Sequence, residues 1–193
     1  MKRLLLLVTL ALMLAAAMAL SGVAQAASPS SKCQQAAASL GISGSYKYIA
    51  GSDKKNDNFT SKGTEGADVF CGFGGNDSIE TLREGDIFIG GAGGDAVAGG
   101  ANYGIIYGGD GRDGASYNYG TVYGDAGDDG VQYNYGTFDG GDGSEFVEYN
   151  YAGATFNGDA GDDTVDYNYG TFNGGDGNDT VTYPNESTGT FVD

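Results

Sequence analysis

A single apolar residue stands in the middle of each of many short segments that recur along the chain. In one set the apolar residue follows an acidic residue by two places, and in a second set it follows a threonine by one. Because alternate residues of a strand point to opposite faces, the apolar residue should point inward and its neighbours outward. The pattern predicts short strands around one thin core, with inward residues Ile79, Val97, Val131, Val147, Val165 and Val181 in the first set and Val122, Phe138, Phe156 and Phe172 in the second.

These segments belong to a repeat that begins at Gly63. Nine-residue units rich in Gly and Asp occupy 63–71, 72–80, 81–89, 90–98, 108–116, 124–132, 140–148, 158–166 and 174–182. The later units alternate with a second module, Tyr-Asn-Tyr followed by a turn, at 117–123, 133–139, 149–157 and 167–173, with a divergent copy at 101–107. A fixed period of this kind is the signature of a solenoid.

The spacing of the units indicates which loops stack on one another. Two nonapeptides make a coil of 18 residues, and a nonapeptide with a Tyr module makes a coil of 16 or 18. Stepping by coils, the Gly/Asp-rich loops that begin at 72, 90, 108, 124, 140, 158 and 174 fall on one edge. The opposite edge begins with the loops at 63 and 81 and then changes to Asn-Tyr-Gly turns, so we expect two unlike edges.

The unit Gly90–Ala98 matches the pattern Gly-Gly-x-Gly-x-Asp-x-apolar-x at every defined position. The repeat resembles the RTX-type, or haemolysin-type, calcium-binding repeat. This resemblance implies an all-β fold, a right-handed parallel β-roll or β-helix solenoid of about seven coils over 63–193. It also implies Ca²⁺ ions held between the loops of successive coils.

The ligands that the resemblance implies are one acidic side chain per loop and the backbone carbonyls of the loop glycines. Glu145 stands where Asp is expected, which puts the sites of its loop in doubt. Further acids at Asp110, Asp128, Asp142, Asp162 and Asp176 are either outer ligands or solvated charges. The implied side-chain ligands are Asp77, Asp95, Asp113, Asp129, Glu145, Asp163 and Asp179, with Asp68 and Asp86 on the opposite edge, and the implied carbonyls are those of Gly72, Gly90, Gly91, Gly93, Gly108, Gly109, Gly111, Gly124, Gly127, Gly140, Gly141, Gly143, Gly158, Gly161, Gly174, Gly175 and Gly177.

Composition and charge support a need for cations. The chain has 37 Gly, 26 acidic and 9 basic residues, and a net charge of −17, and 17 of the acids lie from Asp110 onward with Arg112 as the single basic residue there. One apolar side chain per strand is too little to offset the ordering of so many glycines. Calcium takes 6 to 8 oxygen ligands and suits such loops. An acidic surface of this kind also argues against nucleic acid and anionic lipid as partners.

The N-terminal residues predict export. Lys2 and Arg3 precede an apolar run from Leu4 to about Leu20 that ends in Ala24-Gln25-Ala26, so 1–26 is predicted to be a signal peptide cleaved after Ala26, with a membrane anchor as the alternative. The mature chain is then secreted and not inserted in a membrane. In an oxidising compartment Cys33 and Cys71 favour a disulfide, the alternative being two free thiols.

The two ends of the repeat region need covering. Residues 27–62 lack the repeat and are predicted to be a capping or linker segment, with a short helix over 31–40 that ends at Gly41. The stretch 183–192 is predicted to close the other end. Exposed strand edges would otherwise pair with other chains.

The tyrosines and asparagines of the second module line up in columns about 4.8 Å apart. Aromatic stacking and an asparagine ladder would then replace calcium on that edge, the alternative being a carbohydrate-binding aromatic strip. The outward row Thr121, Thr137, Thr155 and Thr171 also admits an ice-binding face. The chain has no His and shows no catalytic triad, so it is predicted not to be an enzyme. The second candidate function is adhesion to an extracellular glycan, matrix or ice surface, with calcium purely structural.

Overall fold

The computed structural model describes residues 27–60, 62–184 and 188–192. The predicted signal peptide, 1–26, lies outside the described residues. Within them the protein has one helix, α1 (Pro29–Ser39), and sixteen strands: β1 Lys47–Ala50, β2 Asp68–Gly74, β3 Ser78–Ile79, β4 Ile87–Ala92, β5 Ala96–Asn102, β6 Ile105–Asp110, β7 Gly114–Asn118, β8 Thr121–Ala126, β9 Gly130–Asn134, β10 Thr137–Asp142, β11 Phe146–Asn150, β12 Thr155–Ala160, β13 Thr164–Asn168, β14 Thr171–Asp176, β15 Thr180–Val181 and β16 Thr190–Val192.

The strands form two parallel sheets that face each other across the core. A nine-stranded sheet has the order β1-β2-β4-β6-β8-β10-β12-β14-β16. A seven-stranded sheet has the order β3-β5-β7-β9-β11-β13-β15. Because the chain crosses from one sheet to the other at every half-coil, it winds as a right-handed parallel β-roll, which confirms the predicted fold. Seven coils run from the pair β2 and β3 to the pair β14 and β15.

Successive coils stack in the register that the repeat predicts. Thr121 pairs with Thr137 and Thr137 with Thr155, while Tyr133 pairs with Tyr149. The 16- and 18-residue coils therefore place equivalent residues directly above one another. Columns of like residues along the roll are a direct consequence.

The core is a single file of inward side chains from each sheet. The inward residues predicted from the sequence are buried, except that Val181 of the last coil is only partly so. Phe138, Phe156 and Phe172 stack on one another with centroids 5.1 and 4.7 Å apart. The core is as thin as predicted, with one apolar side chain per strand.

The N-terminal segment does more than cover an end. Its helix α1 begins after Ser28, whose hydroxyl accepts the Ser31 N–H at 3.2 Å, and its chain reverses at Gly41, whose φ is +75°. Helix α1 packs on the outer face of the nine-stranded sheet, where Val69 and Ile87 point away from the core. The Cys33–Cys71 disulfide, which confirms the favoured pairing, ties the helix to β2.

The same segment adds a first coil to the roll. Strand β1 pairs in parallel with β2, and Asn58 forms a parallel bridge with Ser78 of the other sheet. The ring of Phe59 is buried against Phe70 and Phe88. The roll therefore starts about one coil before the first recognisable repeat.

Candidate metal centre

One acidic side chain from each of seven successive loops lies in a single column along one edge of the roll. We call this set the acidic column. Each loop follows a strand of the nine-stranded sheet and leads into a strand of the other sheet, and its first residue is Gly. The members are Asp77, Asp95, Asp113, Asp129, Glu145, Asp163 and Asp179, which the sequence predicted to share this edge, and the first six are buried to 2% exposure or less apart from Asp113 at 4%.

One oxygen of most of these carboxylates is used to join neighbouring coils. The Asp77 N–H donates to Asp95 Oδ1 at 2.6 Å, the Asp95 N–H to Asp113 Oδ1 at 2.5 Å, and the Asp113 N–H to Asp129 Oδ1 at 2.6 Å. The same bond links Glu145 to Asp163 and Asp163 to Asp179. The carboxylates therefore form a ladder along the roll axis.

The second carboxylate oxygen has no such partner. In every member of the acidic column with Asp, Oδ2 is buried and finds no hydrogen-bond donor among the described residues, and in Glu145 this holds for both oxygens. A buried polar atom without a partner costs about 1–3 kcal/mol, and more when it is charged. Seven such sites in one file call for a compensating positive charge or a proton.

Burial changes the acidity of these groups. Desolvation raises the pKa of Asp95 to about 6, that of Asp113 to about 7 and that of Asp129 to about 6. It also raises the pKa of Glu145, where the neighbouring Asp163 carboxyl adds to the effect. Each carboxylate also repels its neighbours in the column, so ionisation destabilises the column wherever its charge is not compensated.

The oxygens without donors face a small space at the first glycine of each loop. A Cβ on Gly108 would lie 2.5 Å from Asp113 Oδ2 and 2.7 Å from the carbonyl oxygen of Gly124 in the next coil. The arrangement recurs at Gly72, Gly90, Gly124 and Gly158, where the loop's own carboxylate and the next coil's carbonyl oxygen crowd the same point, and at Gly174 the carboxylate of Asp179 lies there alone. We call this small space at the first glycine of each loop the cradle. A side chain at that position would fill it, so only Gly leaves it open.

Other loop carbonyls approach the second and fourth glycines of the following loop. The carbonyls of Gly91 and Gly93 point toward Gly109 and Gly111 of the following coil, close to where a Cβ would be. Gly93 also has a φ of +125°, which favours Gly. First-position carbonyls thus face back and second- and fourth-position carbonyls face forward, as in Gly127, Gly143 and Gly161. Each gap is lined by carboxylate and carbonyl oxygens, the donor type that a hard divalent cation prefers.

The two aspartates of the opposite edge differ from the acidic column. Asp68 accepts the Thr64 N–H at 2.5 Å and the Thr64 hydroxyl at 3.0 Å. Asp86 accepts the Asp68 N–H at 2.9 Å and the Arg83 N–H at 3.3 Å. Each of these carboxylate oxygens already accepts a hydrogen bond from the protein. Neither aspartate therefore has an oxygen that lacks a donor. Their role as calcium ligands stays a prediction. Neither of them has the buried oxygen without a donor that is found in the acidic column.

Glu145 occupies the place of Asp in the column despite its longer side chain. It is buried, and its Oε2 lies 2.7 Å from the position of a Cβ on Gly140, so the longer arm folds back into the same cradle. The doubt that the sequence raised about this loop therefore concerns the geometry of its carboxylate and not its location.

The first member of the ladder, Asp57, was not predicted from the sequence. Its N–H donates to Asp77 Oδ1 at 2.6 Å, and its own Oδ2 accepts the Ser52 N–H at 2.7 Å. The loop 51–57 has one residue more than the others and carries Lys54 and Lys55 in place of glycines. The signal that was available is Gly51 before the loop and the sequence Asp57-Asn-Phe59-Thr after it, which repeats the Asp-x-apolar-x pattern.

The further acids of the loops fall into two groups. Asp128 accepts the Ser144 N–H at 3.1 Å and Asp162 the Asn178 N–H at 2.9 Å, each across one coil. The bonds from Asn178 lower the pKa of Asp162. Asp110, Asp142 and Asp176 are exposed at strand ends, as solvated charges would be. None of these five side chains lies at the position that the members of the acidic column occupy in their loops.

The opposite edge is held by amides instead. Asn102, Asn118, Asn134, Asn150 and Asn168 are buried in a column, and each Nδ2 of the first four donates to the next Oδ1 at 2.8–2.9 Å. Each Nδ2 also donates to a threonine carbonyl of a neighbouring coil, as in Asn118 to Thr137 at 2.8 Å. This ladder is the predicted one, and it satisfies its own polar groups with no ion.

No three acidic, His or Cys side chains converge anywhere in the described ranges. Each coil supplies one carboxylate to the acidic column. The described part of the chain also has no helix of the length and apolar character needed to cross a bilayer. The chain matches no family model, no curated protein and no solved structure.

Proposed function

We propose that this protein is a secreted, calcium-binding repeat protein whose β-roll is folded and stabilised by Ca²⁺ held between successive loops of the acidic column. The observation that carries the proposal is the file of buried carboxylate oxygens that lack a hydrogen-bond donor. Five of the carboxylates lie beside a loop carbonyl of the next coil, at a point that only Gly leaves open: those of Asp77, Asp95, Asp113, Asp129 and Asp163. The proposed role is binding and structural, not catalytic.

The donor set selects the kind of cation. The gaps offer carboxylate and carbonyl oxygens, and the two cysteines are bridged, so soft metals find no ligand among them. Calcium accepts six to eight oxygens in irregular geometry, whereas magnesium demands a near-ideal octahedron and releases water reluctantly. A bound calcium would supply two positive charges between two carboxylates, which removes the repulsion along the column.

Export gives the proposal its setting. The predicted signal peptide would deliver the chain to a compartment with millimolar calcium, where several weak sites fill together. A site at tenfold ligand excess stabilises the folded state by about 1.4 kcal/mol. Several such sites acting together decide whether a chain with so thin a core folds.

Calcium titration of the metal-stripped protein, followed by circular dichroism and calorimetry, tests the proposal. We expect the β-structure content and the unfolding temperature to rise with calcium as several ions bind per chain, to fall again with chelator, and not to rise with equal magnesium. Equal β-structure and an equal unfolding temperature in calcium and in chelator, or no calcium binding in the millimolar range, would contradict the proposal.

An adhesive role, in which calcium is structural and another face contacts a glycan, matrix or ice surface, is the second candidate. The exposed ring of Tyr103, at one end of the tyrosine edge, favours it, since this residue is nearly half exposed. The threonine row gives it less support, because the neighbouring outward side chains bond to one another, Asn157 to Asp139 and Asn173 to Asn157. Binding to a glycan array by the calcium-loaded protein distinguishes this role from that of a simple scaffold.

A further inference from the structure

The tyrosines of the second edge stack face to face along the roll. Tyr119 lies between Tyr103 and Tyr135, with centroid distances of 5.1 and 4.7 Å and interplanar angles of 12° and 4°. The next pair, Tyr135 and Tyr151, is 4.2 Å apart. Both faces of an internal ring are therefore covered, and only its edge and hydroxyl meet solvent. A continuous aromatic strip, on which a sugar chain could lie flat, is not what this edge presents.

Tyr103 differs because the stack begins there. The bridge between Leu82 and Asn102 places Arg83 one coil before Tyr103, where another ring would continue the stack. The Arg83 side chain is instead held by its bond to the Thr64 carbonyl, at 2.7 Å from Nη1. Tyr103 is 49% exposed, the highest value among the tyrosines.

A cleft opens at this end of the stack. It has a volume of about 510 Å³ and is lined by Thr81, Arg83, Glu84, Tyr103 and Tyr119. This volume lies within the ~300–1,000 Å³ typical of small-ligand sites. The lining combines the rings of Tyr103 and Tyr119, of which Tyr103 is stacked on a single side, with a hydroxyl, a guanidinium and a carboxylate.

We propose that this cleft binds one pyranose ring of a neutral glycan, stacked on the free face of Tyr103. The electron-rich face of a tyrosine attracts the C–H side of a sugar ring. Arg83 has N–H groups to donate to sugar hydroxyls, Glu84 can accept from them, and Thr81 can do both. The chain's net charge of −17 disfavours anionic sugars. The site is separate from the acidic column and requires only that the roll is folded.

NMR titration of the folded, calcium-loaded protein tests the site. The probes are cellotriose, maltotriose, mannotriose and chitotriose, with indole as a planar aromatic probe and sialyllactose as an anionic one. We expect one or more neutral trisaccharides to shift the Tyr103 ring and Arg83 side-chain resonances, with a Kd on the order of 1 mM. Tyr103→Leu should weaken this binding by about tenfold or more, and Tyr103→Phe should preserve it.

Tyr117→Leu is the matched control. Tyr117 begins the second tyrosine column, is 40% exposed and stacks on one side with Tyr133 at 4.9 Å, but Ala101 precedes it by one coil and the cleft does not include it. Binding should survive this change. The proposal is overturned if Tyr103→Leu binds as the parent does, if Tyr117→Leu loses as much, or if only indole or sialyllactose shifts Tyr103. Unchanged amide spectra elsewhere verify that each variant is folded.

Discussion

The Asp95 N–H donates to Oδ1 of Asp113 at 2.5 Å, while Oδ2 of Asp113 is buried without a donor. The two oxygens of one carboxylate therefore have different roles. Oδ1 fixes the stacking of the coils and holds the side chain in place, and Oδ2 is left facing the gap between loops. A cation-binding position and the register of the roll thus depend on the same side chain.

Asp113→Asn separates these two tasks. The amide keeps an oxygen for the Asp95 N–H but replaces Oδ2 with an N–H₂ group and removes the charge. We expect the number of calcium ions bound per chain to fall by one or two, and the calcium-induced gain in stability to shrink by about 1–3 kcal/mol. Without calcium the variant should be at least as stable as the parent at pH 8, because a buried, unpaired charge is gone.

Asp68→Asn is the control for this change. Asp68 is also buried and also carries the sixth place of a nonapeptide, but both its oxygens accept bonds from Thr64. Its substitution should leave the calcium stoichiometry of the acidic column unchanged. Equal loss of calcium in both variants, measured by calorimetry, would contradict the distinction between the two edges.

The raised pKa values make the calcium-free protein sensitive to pH. Burial raises the pKa of Asp95 and Asp129 to about 6 and of Asp113 to about 7, above the 3.8 of an exposed Asp. A carboxyl with a raised pKa in the folded state contributes stability that is present below about pH 4 and is lost as pH rises through 6 to 7. The calcium-free protein should therefore unfold more easily at pH 8 than at pH 5.

Calcium should reverse this dependence. Binding requires ionised carboxylates, so calcium affinity should rise from pH 5 to pH 8, and binding near pH 6 should release protons. Thermal unfolding with and without calcium across this range, with calorimetry in buffers of different ionisation enthalpy, measures both effects. A calcium-free unfolding temperature that rises with pH would show that the column is not acting as described.

The regular spacing of the repeats, at 16 or 18 residues per coil, was sufficient to predict the fold and the columns of equivalent residues. Because Thr121, Thr137 and Thr155 are equivalent in sequence, their register follows once the period is known. The first coil escaped prediction because loop 51–57 has an extra residue and two lysines. The position of α1 could not be predicted either, since it depends on which outward residues of β2 and β4 happen to be apolar.

The sequence indicated part of the difference between the two edges of the roll. The loops before Asp68 and Asp86 have Thr64 at the second place, and Thr81 and Glu84 at the first and fourth places, where most or all loops of the other edge have Gly. Such residues can supply donors to the carboxylate or fill the gap, so an Asp at the sixth place alone does not define a site. That the oxygens of Asp68 are both satisfied is a matter of side-chain geometry, which the pattern does not contain.

Gly108→Ala tests the cradle itself. The added Cβ would lie 2.5 Å from Asp113 Oδ2 and 2.7 Å from the Gly124 carbonyl oxygen, too close for either to stay. We expect a loss of about 1–3 kcal/mol in the free energy of unfolding and a loss of calcium binding in the adjoining gap. Gly66→Ala is the control, since the nearest atom to its Cβ is 3.9 Å away. Similar effects of the two changes would argue against a cation cradle at Gly108.

Asn134→Ala should destabilise the roll independently of calcium. Asn134 is fully buried, and its Nδ2 donates to Asn150 Oδ1 at 2.9 Å and to the Thr155 carbonyl at 3.0 Å, while its Oδ1 accepts from Asn118. Its removal leaves several buried polar atoms of neighbouring coils without partners, at about 1–3 kcal/mol each. The free energy of unfolding should fall by the same amount in partial and in saturating calcium, because no ion shares this edge.

Asn178→Ala provides the comparison for the amide ladder. Asn178 also bonds across one coil, through its Nδ2 to Asp162 Oδ1 at 3.1 Å, but it is exposed to solvent that can replace the bond. Its effect on stability should stay within about 0.5 kcal/mol. If the loss caused by Asn134→Ala disappeared in saturating calcium, the two edges would be coupled through the ions, and the amide ladder would not be the metal-free counterpart of the acidic column.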